Sequence, residues 1–224
     1  MGARARLLAV LPMLVLLAWM GLAAHRDGRA NSLMADASRE MSTWRRATVA
    51  AGEWDWIRAD LERAAEMDPG NPSISELQGI LKARRVAEDT YLKESIAHFQ
   101  QSLRERPGSP YGWANLLESS YRLHGSAAEI DPMIQRAVAL GPHEPAVQRV
   151  VADFGLAAWP ELSPAGQAST ERVVAAALRR NPLEMLRIAD RRGRLNVACR
   201  HVSIAPGTSS TQWSKFCPGT EATQ

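Results

Sequence analysis

The sequence predicts an all-α protein: an α-solenoid of about four helix hairpins plus a capping helix, preceded by one N-terminal transmembrane helix. The first reason is a pattern that recurs every 35 to 40 residues, in which a large apolar residue is followed three positions later by a small one and five positions after that by proline. The second reason is an uncharged N-terminal run of 18 residues, and the third is the lack of a convincing strand before Val202. The prolines that end the four repeats are Pro69, Pro107, Pro142 and Pro182.

The composition is that of a folded protein with no nucleic-acid footprint. Hydrophobic residues make up 46% of the 224 residues, which is ordinary for a domain that buries a core. The formal net charge is only +3, from 27 basic and 24 acidic side chains. Because nucleic-acid binding needs Lys and Arg clustered on one face, no nucleic-acid partner is predicted.

The N-terminus carries the localisation signal. Arg4 and Arg6 precede the uncharged run 7–24, which is just long enough to cross a hydrocarbon core of about 30 Å as a helix. Positively charged flanks stay in the cytoplasm, so the C-terminal bulk of the chain is expected on the far side of the membrane. A cleaved signal peptide is the alternative, because Gly21 and Ala23 have the spacing of a cleavage site.

Three helices are predicted after the anchor. Apolar residues at helical spacing indicate a first helix over 29–51, and Gly52 breaks it. A second helix follows and is stopped by Pro69 and the turn residues around it. Ser73 with Glu76 three residues later forms a capping box, so a third helix is predicted to start there.

The middle of the chain contains three more predicted helices. The fourth covers about 89–106 on one apolar stripe. The fifth starts at Ser109, a cap residue followed by proline in the first turn, and ends at Gly125. A sixth, short helix is predicted to start at the similar pair Asp131 and Pro132.

The last helices have equally clear start signals. The seventh begins at Pro145 and the eighth runs from Ser163 to Asn181, where the ninth is capped in turn. A terminal helix that covers the last repeat is what a solenoid needs for solubility. The predicted segments are a cytoplasmic N-terminus (1–6), a transmembrane anchor or signal peptide (7–24), helical repeats (25–182), a capping helix (183–201) and an irregular C-terminal tail (202–224).

The chain has two cysteines, Cys199 and Cys217, which are 18 positions apart. In an oxidising compartment they could form a disulfide worth roughly 3 kcal/mol. The alternative is a pair of free thiols. Two cysteines at this separation are too few for a zinc site, and no metal or cofactor is predicted.

The repeats resemble tetratricopeptide repeats. The family's positions for glycine, small alanine and terminal proline fall on Gly52, Ala64 and Pro69. Trp113 and Leu116 match the W-x-x-L start of the first helix of a repeat. The resemblance covers most of residues 30–182 and implies a TPR-like solenoid that binds other proteins.

The layout as a whole resembles the VpsP-type polysaccharide-biosynthesis proteins, which are anchored helical-repeat accessories of bacterial exopolysaccharide systems. The resemblance lies in 109–116 (SPYGWANL), 140–148 (LGPHEPAVQ) and 156–159 (LAAW), followed by a basic helix and late cysteines. It implies a single-pass protein of the bacterial inner membrane with most of the chain in the periplasm. It also implies a non-enzymatic scaffold role in exopolysaccharide biosynthesis or export, with partners in a membrane polysaccharide assembly complex.

A candidate binding groove is predicted on the fifth helix. In stacked helix pairs the first helix of each pair lines the concave side, and polar residues there that avoid the core are candidate contacts. These residues are Tyr111, Asn115, Glu118 and Arg122. An amide such as Asn115 can pair with both groups of an extended peptide backbone. The alternative is an ordinary solvated helix face.

No catalytic site is predicted. The sequence lacks nucleophile-elbow, Walker-type and dinucleotide-binding motifs, and its carboxylates occur without a suggestive pairing. The favoured function is therefore a scaffold. Two alternatives remain: a TPR-like adaptor for another envelope assembly system, such as cytochrome or pilus biogenesis, and an enzyme acting on envelope glycan.

Overall fold

The computed structural model describes residues 3–44, 51–85, 88–202 and 215–218, with side chains from residue 12 onward except at 51. All secondary structure within those residues is helical, and they contain no strand, so the all-α prediction is confirmed. The chain divides into two units, Met1–Leu81 and Lys82–Gln224. The α-helices are α1 (Ala3–Thr43), α2 (Ala51–Met67), α3 (Pro72–Ala83), α4 (Asp89–Glu105), α5 (Pro110–His124), α6 (Ala127–Leu140), α7 (Pro145–Ala157), α8 (Pro164–Arg180), α9 (Pro182–Arg191) and α10 (Leu195–Cys199), with a 3₁₀ turn at Trp159–Glu161 between α7 and α8.

In the first unit, α1 is one continuous helix of 41 residues, and it packs against α2. Ala30 of α1, Ala64 of α2 and Ile74 of α3 are buried together. The predicted anchor and the predicted first helix are therefore a single helix, because a change from apolar to charged residues does not interrupt helical hydrogen bonding. That helix ends at Thr43, short of its predicted end at 51: Trp44 is not helical, 45–50 lie outside the described residues, and Ala51 begins α2.

Gly52 does not break a helix as predicted, since it lies in the first turn of α2. The first four N–H groups of a helix have no intrahelical partner, so a glycine there costs less than one in the interior. The predicted start of α3 is also wrong. The Asn71 side-chain oxygen accepts the N–H of Ser73 at 2.9 Å, so Asn71 is the cap, and the helix begins with Pro72.

Two further boundaries differ from the prediction. Helix α6 starts at Ala127, where the Ser126 hydroxyl accepts the N–H of Glu129 at 3.4 Å, and Pro132 lies inside the helix. Pro132 leaves the carbonyl of Ala128 without its helical donor, which is tolerated because Ala128 is exposed to water. The predicted capping helix over 183–201 is two helices, α9 and α10, because Gly193 between them adopts a left-handed conformation (φ 63°).

The other predicted starts in the second unit are confirmed. The Ser109 hydroxyl accepts the N–H of Gly112 at 3.0 Å, and Ser163 does the same for Gly166 at 3.1 Å. Both helices have proline in the first turn. Of the predicted tail 202–224, only Val202 and 215–218 lie within the described residues.

Within the second unit, the helices pack in chain order. Each of α5 to α8 contacts both the next helix and the one after it. Many of the buried side chains of α5 to α10 form two clusters that share α7 and α8. Apolar packing thus extends from α5 to α10. The fully buried members include Leu117, Ile130, Ile134, Val147 and Val151 in the first cluster, and Leu156, Val174, Leu186 and Val197 in the second.

A buried carboxylate joins α6 to the start of α8. One oxygen of Asp131 accepts the backbone N–H of Ser163 at 2.8 Å, and the other accepts the Gln135 amide at 2.9 Å. Gly166 leaves space for this carboxylate, since a Cβ there would lie 2.8 Å from its carbon. Burial by itself would raise the pKa of Asp131, but the hydrogen bonds from Ser163 and Gln135 outweigh it and lower the pKa.

Asp131→Asn should lower the free energy of unfolding by about 1–2 kcal/mol at pH 7, because the charge-assisted bond at the start of α8 is lost. The folded-state pKa of Asp131 lies below its unfolded value, so its contribution is present above about pH 4 and disappears as the pH falls through the folded pKa. Urea unfolding from pH 7 to pH 2 measures this. The gap between wild type and variant should close in acid, whereas exposed Asp190→Asn should show almost no gap. A gap that stays constant down to pH 2 contradicts the assignment.

Candidate functional site

The four candidate residues of the fifth helix lie along one side of α5, as their spacing requires. Tyr111 and Arg122 are exposed, while Asn115 and Glu118 are half-buried. Each of the four side chains interacts with another residue of the protein, so this side of α5 is not simply a solvated helix face. The Tyr111 hydroxyl donates to the Glu144 carboxylate at the start of α7, which raises the pKa of Tyr111. Glu118 and Arg122 form an ion pair at 2.6 Å, and Asn115 is also engaged.

Helices α7 and α9 carry a second set of charged contacts that sequence reasoning missed. The Arg149 guanidinium donates to Glu184 at 2.7 Å, which joins the first half of α7 to the start of α9. Arg192 donates two hydrogen bonds of 2.9 and 3.0 Å to Asp153, and Arg191 contacts the same carboxylate at 3.5 Å. The spacing of Arg149 and Asp153, one helical turn apart, was the available signal, but neither partner could be paired from sequence.

Phe154, in the second half of α7, lies between Arg122 at the end of α5 and Arg192 just after α9. Its side chain is buried, and the guanidinium groups of Arg122 and Arg192 lie 5.8 and 5.7 Å from its ring centroid. Tyr121 meets the same ring edge-on at 5.6 Å. Cation–π contacts of this kind hold guanidinium groups in place. The hydrogen bonds that Arg192 donates to Asp153 raise the pKa of Arg192.

The contacts show that α5, α7 and α9 run in the same direction. The start of α5 meets the start of α7 through Tyr111 and Glu144, and the end of α5 meets the later part of α7 through Arg122 and Phe154. The surface formed by these three helices is called the α5–α7–α9 face below. Its charged members are Glu118, Arg122, Glu144, Arg149, Asp153, Glu184, Arg187, Arg191 and Arg192.

Chemically, this face offers hydrogen-bond donors and acceptors. Guanidinium groups bind carboxylates and phosphates with matched geometry. Within the described part of the chain, no three His, Cys, Asp or Glu side chains stand close enough to hold a metal ion.

The cysteines form a disulfide between α10 and the C-terminal segment. The Cα atoms of Cys199 and Cys217 are 5.6 Å apart, and Cys217 is buried against the core cluster of α8, α9 and α10. The bond therefore fastens 215–218 to the last helices. The alternative of two free thiols does not occur in the structure.

The N-terminal half of α1 presents apolar side chains to its surroundings. Eight large apolar residues between Met13 and Leu22 are 53–66% exposed. No helix among the described residues reaches the length and hydropathy needed to cross a membrane, and the side chains of 7–11, the first part of the predicted anchor, lie outside those residues.

In its described residues, the molecule is thus an all-α protein with a charged face on three parallel helices. No protein-family model and no curated protein matches the chain.

Proposed function

We propose that the chain is a membrane-anchored, non-enzymatic helical-repeat scaffold whose α5–α7–α9 face binds a protein partner, and that it serves bacterial exopolysaccharide biosynthesis or export. The observation that carries the proposal is the structure of α1. Its exposed apolar stretch 12–22 continues without a break into the segment that packs on α2. A membrane anchor and the first helix of the folded body are then one rigid element.

Lipid is the environment that best suits that stretch. Burying apolar surface is worth about 25 cal/mol per Å², and water offers no such burial to a helix that is apolar on every side. Arg4 and Arg6 precede the stretch, which favours an orientation with the folded body outside the cytoplasm. The Cys199–Cys217 disulfide supports the same side, since structural disulfides persist in oxidising compartments such as the periplasm.

The repeat assignment rests on the order of helix contacts. In the second unit, α5, α7 and α9 are parallel neighbours, and each is followed by a helix that packs beside it: α6, α8 and α10. Stacked helix hairpins of a TPR-like solenoid have this order of contacts. Short α9 and α10 take the place of the capping helix. The exposed surface left on the first helices of the hairpins supports a role in binding.

The link to exopolysaccharide rests on the VpsP-type pattern in 109–116, 140–148 and 156–159. The first of these segments opens α5, and the second includes Glu144 at the start of α7, so two of the three contribute to the α5–α7–α9 face. A tethered scaffold acts by raising the effective concentration of its face near a membrane partner. The proposed partners are proteins of a membrane polysaccharide assembly complex.

The full chain should remain in membranes washed with carbonate and should be released only by detergent. A version in which a cleavable signal peptide replaces 7–24 should appear in the soluble periplasm, and polymer output should fall to that of the gene-deletion strain. A third version, with an unrelated membrane helix in place of 7–24, is the matched control and should restore output. Full output from the untethered version, or recovery of the intact chain without detergent, contradicts the proposal.

A further inference from the structure

We propose that the turn between α2 and α3 (68–71, called the α2–α3 turn below) is a second membrane contact of this protein, and that it lies among the headgroups of zwitterionic phospholipid beside the anchor. This inference rests on the proposed function, because it takes the exposed apolar stretch of α1 to lie in lipid. It adds a second surface and the chemistry of the lipid that this surface meets. The first unit then contacts the membrane at two points.

Helix α2 runs back along α1 toward the apolar stretch 12–22. The Arg26 guanidinium lies 3.5 Å from the Glu66 carbonyl oxygen, and Ala30 is buried in one cluster with Ala64. A higher residue number on α1 thus corresponds to a lower one on α2, so the two helices are antiparallel. The last turn of α2 is therefore the part of that helix that lies nearest to the apolar stretch.

The α2–α3 turn lies at the level where the apolar stretch ends. Ala30 and Ala64 are buried together, and Met67 is three residues farther along α2, which places it level with Asp27 of α1. Leu22, the last of the exposed large apolar residues, is five residues before Asp27, or about 7.5 Å along the helix axis. The polar layer of a bilayer is about 5–7 Å thick on each side of the hydrocarbon. The turn follows Met67 and therefore falls in that layer.

The α2–α3 turn can leave bulk water at little cost, because its polar groups bond to one another. The Asn71 backbone N–H donates to the Asp68 carbonyl at 3.2 Å, and the Asn71 side-chain amide donates to the Asp68 carboxylate at 2.9 Å. The exposed tip consists of Pro69 and Gly70, which carry no polar side chain, and proline has no N–H to satisfy. Few unpaired polar groups would lose water when this tip enters the headgroup layer.

The charges at this level favour zwitterionic over anionic lipid. Residues 26–29 of α1 and 66–71 at the end of α2 contain two arginines and three carboxylates. Anionic lipid is bound by clusters of Lys and Arg, and no such cluster is present in these two segments. Zwitterionic headgroups carry both signs and can meet both. The charged residues are Arg26, Asp27, Arg29, Glu66 and Asp68.

The test uses the full chain in phosphatidylcholine vesicles, with a small fluorophore on one introduced cysteine and with Cys199 and Cys217 left in their disulfide. Gly70→Cys and Gly52→Cys are matched, because no atom lies within 4 Å of a Cβ added at either position. Gly52 is about 22 Å from the end of α2 that meets the turn. A nitroxide on the lipid headgroup should therefore quench the label at 70 several times more strongly than the label at 52.

Two further variants separate the turn from the anchor. Leu16→Cys places a label on an exposed residue of the apolar stretch, and a nitroxide deep in the acyl chain should quench it more than a headgroup nitroxide does. Insertion of seven polar, helix-forming residues after Ala24 adds two helical turns and moves the α2–α3 turn outward by about 10 Å. In Gly70→Cys this insertion should remove most of the headgroup quenching. Replacing part of the phosphatidylcholine with phosphatidylglycerol should not increase quenching at 70.

Equal headgroup quenching at 52 and 70, no headgroup quenching at 70, or quenching at 70 that survives the insertion overturns the inference. Stronger quenching at 70 in phosphatidylglycerol also overturns it, in favour of an anionic lipid. The proposed function fails separately. A label at 16 that acyl-chain nitroxides do not quench refutes the membrane anchor and the inference with it, whereas quenching at 16 with equal values at 52 and 70 refutes the inference alone. The expected quenching combined with full polymer output from the untethered chain refutes the scaffold role and leaves the inference standing.

Discussion

Replacing Gly155 with Ala should lower the free energy of unfolding by about 1–3 kcal/mol, the usual cost of overpacking a buried contact. Gly155 lies in α7 against Thr170 of α8, and both are fully enclosed between the two helices. A Cβ at position 155 would overlap the Thr170 hydroxyl and lie 2.8 Å from its methyl group. Because Thr170 is branched at Cβ, it cannot rotate both groups away. The helices would have to separate instead.

Adding Thr170→Ala to Gly155→Ala should restore most of the lost free energy of unfolding. This restoration tests the contact more directly than the loss caused by Gly155→Ala alone. Within the described residues, the Thr170 hydroxyl has no hydrogen-bond partner, so removing it costs no bond. In a double-mutant cycle by urea unfolding, the coupling between the two positions should be about 0.5–3 kcal/mol in the sense of rescue. The matched control is Gly52→Ala in α2, where no atom lies within 4 Å of the added Cβ and no loss is expected. Simple additivity of the two effects contradicts the proposed close contact.

Removing the disulfide should have the other large effect, a loss of about 3 kcal/mol for C199A/C217A. The bond closes a loop between positions 18 apart and holds the buried Cys217 turn on the core of α8, α9 and α10. Without it, the unfolded chain gains conformational freedom, and 215–218 loses its attachment. Alanine is preferred to serine, because a hydroxyl at 217 would be buried.

Reductant provides the internal control for this prediction. Dithiothreitol should lower the unfolding midpoint of wild type to that of C199A/C217A and should leave the double variant unchanged. Protein made in a reducing cytoplasm should show the lower midpoint until it is oxidised. An unchanged wild-type midpoint in reductant, with the thiols shown to be free, contradicts a stabilising disulfide.

Local signals in the sequence were enough to predict most helix starts. Ser109 and Ser163 cap their helices because each precedes a proline and has a free hydroxyl two or three residues before N–H groups that need an acceptor. The wrong starts occurred where two local signals competed. Asn71, two positions before Ser73, is the cap of α3, and Ser126 rather than the pair Asp131 and Pro132 marks the start of α6. Asp131 instead serves a start in another helix, that of α8.

The candidate site was predictable only in part. Tyr111, Asn115, Glu118 and Arg122 share a side of α5 because positions three or four apart coincide on a helix. The rows on α7 and α9 were missed because their pairing crosses between helices: Arg149 meets Glu184 at a separation of 35 residues and Asp153 meets Arg192 at 39. Nothing local distinguishes those charges from solvated ones.

The sequence by itself determined that this protein is helical, where most of its helices begin, and which residues share the outward side of α5, since each of these depends on hydrogen bonds and side-chain spacing within a few residues. Only the tertiary structure decided that α5, α7 and α9 run parallel, that Phe154 lies beneath two arginines, and that Arg149 pairs with Glu184 and Asp153 with Arg192. Those features depend on how helices far apart in the chain align, and that alignment is set by the fit of buried residues, such as the Thr170 side chain against Gly155.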